Sequence, residues 1–280
     1  AYLKDAMPFK PEKFAGRKGK SDRAVVVEIF TGAQCPPCVS ADIAFDAAVQ
    51  AYKPTDVVLL QYHLHIPGPD PLTNPDTIAR WDYYRAKFPQ GIRGTPSTVF
   101  NGKPEAGGGG GMANSRAKYN QYRKIIDPML EKKSDVKVAG VIDRVGDKLT
   151  ASVTVSGADP SADLKLRLLV VEESIKYVGG NHLRFHDRVV RSMIGGPAGI
   201  AINDKTFKHT ATANVGNVKK ELTRYLDEFA ANRPFPYKQR PMDLTHLEII
   251  ALVQNDKTLE ILQSAVLESH EAKTSATISR

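Results

Sequence analysis

Cysteine is nearly absent from this sequence: there are two in 280 residues, Cys35 and Cys38, with Pro36 and Pro37 between them. That scarcity excludes a scaffold stapled by several disulfides, and a zinc centre made of cysteine alone, which needs four ligands. A bridge from i to i+3 closes too short a loop to remove much chain entropy. No apolar run approaches the roughly 18 residues that span a bilayer, and the first twenty residues lack the apolar core of a secretory signal. The chain opens on Ala1 rather than Met, so the expectation is a processed product whose export signal has been removed and which works outside the cytoplasm. Charge is not scarce, but it is unfocused. The net charge is +8, and apart from Lys10, Lys13, Arg17, Lys18, Lys20 and Arg23 the basic residues are scattered. With no zinc-finger spacing and no aromatic string among them, they imply no nucleic-acid partner. They imply a solvated basic surface with weak attraction to the anionic envelope.

What is present falls into two textures. Residues 1–22 are polar and rich in Lys, Gly and Pro, an extended arm. Arg23–Phe30 is a continuous β-branched run, as expected of a strand buried on both faces. After the cysteines, Val39, Ile43, Ala47 and Ala51 are spaced for one helical face. A second buried strand follows at Asp56–Ile66, then a Pro-rich loop and a helix over about Pro75–Phe88 with Asn74 as its N-cap. Pro96–Lys103 reads as a strand entering an Asn-Gly hairpin, and a helix is expected near Ser115–Lys132. This order is α/β and spans 23–133, with a helical insertion near 67–92. From 134 to 280 short alternating strands with Gly-Asp and Asn-Asp turns predict a second, all-β sandwich domain, interrupted by one helix near Val218–Ala231. The pentaglycine Gly107–Gly111 reads as a flexible loop, because no Lys-Ser/Thr follows it to make a phosphate cradle.

A CxxC between a buried strand and a helix has the setting of a redox motif. Cys35 at a helix start would have its thiol pKa lowered from about 8.5 towards about 3.5–7.5 by unpaired N–H groups and the helix dipole. Its thiolate would attack a substrate disulfide, and Cys38, one turn further in, would resolve the mixed disulfide. Pro36 and Pro37 fix φ and remove donors that would otherwise need partners.

Sixty residues on, "GIRGTPSTVFNGK" follows, and with CPPC this block resembles the thioredoxin fold. The resemblance implies a cis-proline at Pro96, with Thr95 before it, whose backbone pairs with substrate beside Cys35 and Cys38. Asn101-Gly102 matches the fold's hairpin. Gln34 stands where thioredoxins usually carry Trp, Pro36-Pro37 replaces Gly-Pro, and the single Trp81 lies in the inserted segment. Glu28 offers itself as the fold's buried acid, for proton transfer or as a structurally paired group. "VEIFTGAQCPPC", "HDRVVR" (His186–Arg191) and "VQNDKTLEILQSA" (Val253–Ala265) further resemble exported, outer-membrane-associated bacterial proteins with a thioredoxin-like head and an immunoglobulin-like tail. The resemblance covers most of 24–270.

Three functional readings follow. The first is a thiol–disulfide oxidoreductase with Cys35 and Cys38 as the redox pair, Glu28 as the acid, and Gln34, Pro36, Pro37, Thr95 and Pro96 against substrate. It needs no cofactor beyond the disulfide, its partners are protein thiols and disulfides together with a redox partner, and the β domain serves docking or dimerisation. The second is a copper- or zinc-binding protein using Cys35, Cys38, His63 and His65, since thiolate and imidazole suit both metals. Otherwise His63 and His65, with Trp81, shape the substrate groove. The third is a non-catalytic surface protein with a static bridge. His182, His186, Asp187, Arg188 and Arg191 read as polar residues at a sandwich edge or at the interface with the head, and the "GPDPLTNPD" loop either borders the site or merely connects.

Overall fold

The computed structural model describes residues 7–269. Its first part runs β1 (Val25–Thr31), a 3-10 turn (Pro36–Cys38) leading straight into α1 (Val39–Ala51), β2 (Val57–His63), α2 (Pro75–Lys87), β3 (Ser97–Phe100), β4 (Lys103–Pro104) and α3 (Ser115–Leu130). The second part contains β5 (Lys137–Val145), β6 (Lys148–Ser156), β7 (Leu164–Lys176), β8 (Phe185–Ile194), β9 (Ile200–Ala201) and β10 (Thr206–Asn214). It closes with α4 (Val215–Asn232), β11 (Leu247–Asn255), β12 (Ile261–Val266) and β13 (Glu268–Ser269). The molecule is mixed α/β.

Strand β1 lies at the heart of the first part because its residues are apolar on both faces. Val25, Val27 and Ile29 pack against α1 and α3, through Ile43, Phe45, Ala47, Tyr122 and Ile126. Val26 and Phe30 point the other way, onto Trp81 and Tyr84 of α2. β2 pairs with β1 in parallel, from Val25 opposite Val57 to Thr31 opposite His63, and β3 pairs with β1 antiparallel. The Asn74 cap of α2 forms a full capping box with Thr77, which fixes where the inserted helix starts. The arm from Phe9 to Asp22 is irregular and lies along the head. Phe9 is buried with α1 and α3, and Arg17 bonds Asp56 and the Leu130 carbonyl.

The region after residue 134 differs from the separate sandwich expected of it. A four-stranded sheet, β10-β6-β5-β13, does pack on β7 and β11 over a core of Leu149, Val153, Leu166, Leu168, Ile249 and Ala251. But β7, β8, β11 and β12 continue the head's own sheet. One nine-stranded sheet runs β12-β11-β7-β8-β2-β1-β3-β4, with β9 on β7, and it is joined where β2 and β8 pair at Gln61 and Val189. The reason is legible in β7: Leu166 and Leu168 face the sandwich core while Leu169 and Val171 face the core containing Phe30 and Trp81. A strand apolar on both faces must be covered on both. Each fully buried Leu, Ile, Val or Phe in this seam contributes about 1.5–3 kcal/mol.

Candidate redox site

The site grows from the end of β1, where the chain must turn sharply from strand to helix. Gly32 makes that possible, since a Cβ there would lie 2.6 Å from the Ile66 carbonyl oxygen. The turn is closed by the Cys35 N–H donating to the Gly32 carbonyl at 2.9 Å. Cys35 and Cys38 are joined as a disulfide with Cα atoms 5.3 Å apart. Pro36 and Pro37 are exposed, whereas Cys35 and Cys38 are 1% and 0% exposed. The first amides of the helix are not free as expected: Cys38 N–H bonds the Cys35 carbonyl, Val39 N–H the Pro36 carbonyl and Ser40 N–H the Gly110 carbonyl. A thiolate at Cys35 would instead be served by the helix dipole and by the Thr95 hydroxyl, which lies 3.4 Å from Cys35 Sγ and 3.3 Å from the Ile66 carbonyl. The Thr95 carbonyl oxygen is 3.7 Å from the same sulfur, and the Thr95–Pro96 peptide bond is cis.

Two loops far away in sequence complete the surroundings. The pentaglycine does not dangle. Gly110 N–H donates to the Pro37 carbonyl at 2.7 Å, and a Cβ on Gly109 would lie 1.8 Å from that oxygen and 2.7 Å from Pro96 Cγ. Glycine there permits the backbone to lie flat on the redox turn. From the other side comes the β7–β8 loop. Gly180 N–H donates to Gln34 Oε1, Asn181 N–H donates to the Ala33 carbonyl, and a Cβ on Gly179 would lie 2.3 Å from that same carbonyl oxygen. The tail therefore shapes the turn before Cys35.

Beneath the turn lies a buried polar chain. Thr31 donates to Asp42 Oδ2 at 2.9 Å, and Gln61 Nε2 lies 3.4 Å from Asp42 Oδ1. Gln61 Oε1 lies 3.2 Å from His63 Nε2, and His63 Nδ1 lies 2.8 Å from Asp70 Oδ2. Asp70 also accepts from Ala33 N–H at 2.6 Å and Leu72 N–H at 2.8 Å. Burial pushes the Asp42 carboxyl well above the usual carboxylate range; the Thr31 hydroxyl opposes this, while Asp46 and Asp70 add to it. Burial acts in the same sense on Asp70 but is outweighed by the His63 ring and the two amides, which hold it below that range. The "GPDPLTNPD" loop thus borders the site through Asp70.

Other expected site residues lie elsewhere. Glu28 points to the opposite face of β1, where its carboxylate receives Arg80 Nε at 2.8 Å and Arg80 Nη2 at 3.0 Å, together with the Tyr84 hydroxyl. Of its two expected roles, the paired acid is the one the geometry permits. Trp81 is a core residue, edge-on to Phe30 with centroids 5.3 Å apart, and does not line the groove. His63 and His65 do not converge with the cysteines. His65 turns to α4, stacked on Phe229 at 3.7 Å, its Nδ1 accepting the Asp70 N–H. Among the described residues no three His, Cys, Asp or Glu side chains gather as a metal site. Of the tail residues, His186 meets the head, its ring 4.8 Å from that of His63. Asp42, Gln61, Gly109 and Gly179–Asn181 were not expected at the site, and Asp70 only as part of its loop. The signals were polar residues interrupting otherwise apolar runs, "VSADIAF" and "VVLLQYH", and glycines clustered where no turn was needed.

No protein-family model matches the chain, and no curated protein matches it. Solved structures do. A protein of Agrobacterium tumefaciens, solved by X-ray crystallography, is 16% identical with a TM-score of 0.54, covering 91% of this chain and 98% of that one. HBP35 of Porphyromonas gingivalis is 17% identical with a TM-score of 0.56, covering 94% of this chain and 80% of that one. A domain of the outer membrane lipoprotein Omp28 from the same organism aligns with 49% of this chain at a TM-score of 0.29. At these identities the first two show a shared fold and nothing more.

Proposed function

We propose that this chain is a thiol–disulfide oxidoreductase whose head is thioredoxin-like and whose substrates are protein or peptide thiols and disulfides outside the cytoplasm. One observation carries the reading: a disulfide at a strand-to-helix turn, with Thr95, ahead of Pro96, placing its hydroxyl and carbonyl against Cys35 Sγ. In the reduced protein the Cys35 thiolate attacks a substrate disulfide, whose S–S bond breaks so that one sulfur leaves as a thiolate and the other joins Cys35. The Thr95 hydroxyl and helix dipole lower the cost of the attacking thiolate. The substrate backbone lies along Thr95. Cys38 then attacks Cys35 Sγ, the mixed disulfide breaks, and the substrate leaves with a free thiol. The reverse sequence oxidises a dithiol. The two sulfurs carry the electrons themselves. The exposed Pro36 and Pro37 and the half-buried Gln34 form the approach, and the β7–β8 loop holds the Gln34 side of it.

A disulfide fits an oxidising compartment, and among the described residues no helix is long and apolar enough to cross a membrane. Peripheral envelope association through the basic surface and pairing of two copies through the β region belong to the same proposal. Trapping tests it. A Cys38→Ser variant, incubated with extract and quenched with acid, accumulates mixed disulfides through Cys35 that dithiothreitol releases. A variant that captures nothing beyond a Cys35→Ser/Cys38→Ser control overturns the proposal.

A further inference from the structure

The two sheets end on four strands, and three of those ends are closed. β12 is capped by the head: the Ile261 N–H donates to the Asn101 carbonyl, Arg23 donates to the Ile261 carbonyl, and the Gln263 side chain accepts the Ala24 N–H. β4 is two residues long, and one of them is Pro104, which has no N–H to offer. β13 is likewise two residues long among those described. β10 is different. It runs for nine residues, Thr206–Asn214, in unbroken antiparallel register with β6, and among the described residues no strand pairs with its other side. It carries few of the usual defences of a free edge: no proline, no bulge, and a single charge, Lys208. The N–H and C=O groups along that side are a template for one more strand.

A second observation says which strand fits. The inward face of β10 carries Phe207, His209, Ala211 and Ala213, and all four are half-buried although the first and the two alanines pack on the sandwich core. Their partners on β6, Val155, Val153, Ala151 and Leu149, are no more than 3% exposed. The cover of the core is therefore complete at β6 and stops short at β10. Along this face the large side chains fill the first half of the strand, where the Phe207 and His209 rings stack, and alanines fill the second. An antiparallel strand of the same sequence, centred on Thr210, reverses that order. Phe207 falls opposite Ala213 and His209 opposite Ala211, so large meets small throughout. Opposed residues differ by an even number, so core faces stay with core faces. On the outer face Lys208 falls opposite Thr212. The two Lys208 side chains are then about 14 Å apart along the strands, beyond the Debye length of about 8 Å at physiological salt.

We propose that β10 is the surface on which two copies of this chain pair, joined antiparallel about a two-fold axis through Thr210 so that their four-stranded sheets become one. The pairing gives the free backbone groups of β10 partners and covers the half-buried Phe207 and His209. Every contact occurs twice, as a two-fold interface requires. The proposal names the strand and the register of the pairing of copies mentioned above, and it rests on no step of the redox chemistry.

Sedimentation equilibrium of the full chain, disulfide intact and at high-micromolar concentration, tests it and is expected to give a dimer. Thr210→Lys is a mild change in a single copy, because Thr210 is exposed. In the pair it sets each new ammonium opposite its own copy, with a Lys208 on either side. Like charges so placed repel, and the dissociation constant rises about tenfold. Mixing this variant with Thr210→Glu restores the dimer, since opposite charges then meet at the axis, and the rescue also shows that both variants fold. A wild-type chain that sediments as a monomer overturns the proposal. So does a dimer that Thr210→Lys leaves unchanged, or one that Thr210→Glu fails to rescue. Trapping through Cys35 is read separately: a monomer that still traps overturns the pairing alone, and a dimer that traps nothing overturns the redox reading alone.

Discussion

Two buried acidic clusters flank β1, and they are built on opposite principles. On the α2 face, Glu28 meets Arg80 through two bonds, with Tyr84 and Gln254 completing the set, so charge and hydrogen-bonding capacity are matched. On the α1 face, Asp42 and Asp70 share one imidazole through Gln61, and there is no buried guanidinium in the chain of bonds. A matched ion pair leaves no charge without a partner, whereas in the second cluster burial pushes the Asp42 carboxyl well above the usual carboxylate range. The first cluster ties α2 to β1 and, through Gln254, to β11 of the tail; the second lies under the disulfide. Burial alone therefore does not decide how an acid is held: Glu28 is matched by a guanidinium, whereas Asp42 has a hydroxyl and an amide.

The contrast breaks most visibly at Arg80. Arg80→Met leaves Glu28 buried without its partner, and the expected loss is about 3–5 kcal/mol by urea unfolding. The reduction potential of the surviving folded protein stays unchanged. A smaller loss is expected from Gly109→Val, which drives a side chain into the Pro37 carbonyl and the Pro96 ring. Overpacking of this kind costs about 1–3 kcal/mol. Here it also slows exchange with glutathione, which stopped-flow fluorescence or mass spectrometry follows.

His65 supplies a pH test on the same side of the sheet. Burial against Phe229 and Tyr225 lowers its pKa to about 4, below the ordinary 6.5. The unfolded chain therefore binds the extra proton first, so this contribution is complete above pH 6.5 and is lost as pH falls from there to about 4. Allowing for the ring's partial exposure, the loss is about 2 kcal/mol. His65→Phe flattens the melting-temperature profile across that window. The smallest effect concerns the tail loop. Asn181→Ala removes a bond to the Gly32 carbonyl and the acceptor of the Leu183 N–H while leaving the backbone bond to Ala33. About 1 kcal/mol is expected, with a measurable change in substrate exchange rate and little change in sandwich stability.

Much of this was legible in the residues. The strand–CPPC–helix order, the Asn74 cap and the Thr95-Pro96 block could be read because each is a local pattern with a local cause. The shared sheet was not, because "LKLRLLVVEES" says only that both faces of β7 are buried, not what buries them. Glu28 was visible as a costly acid in an apolar strand, but its partner Arg80 lies 52 residues away on a helix whose packing no periodicity reveals. The site was legible at its sulfurs and illegible beneath them. Asp42, Gln61 and Asp70 come from three different elements, and only folding brings them under one turn.

The central claim is that Cys35 and Cys38 exchange electrons with substrates instead of bracing the turn. Equilibrating the full chain in glutathione buffers measures this most directly. A reduction potential between about −270 and −120 mV places the pair among catalysts, and that is the expected result. A potential below about −300 mV marks an inert structural bridge and contradicts it.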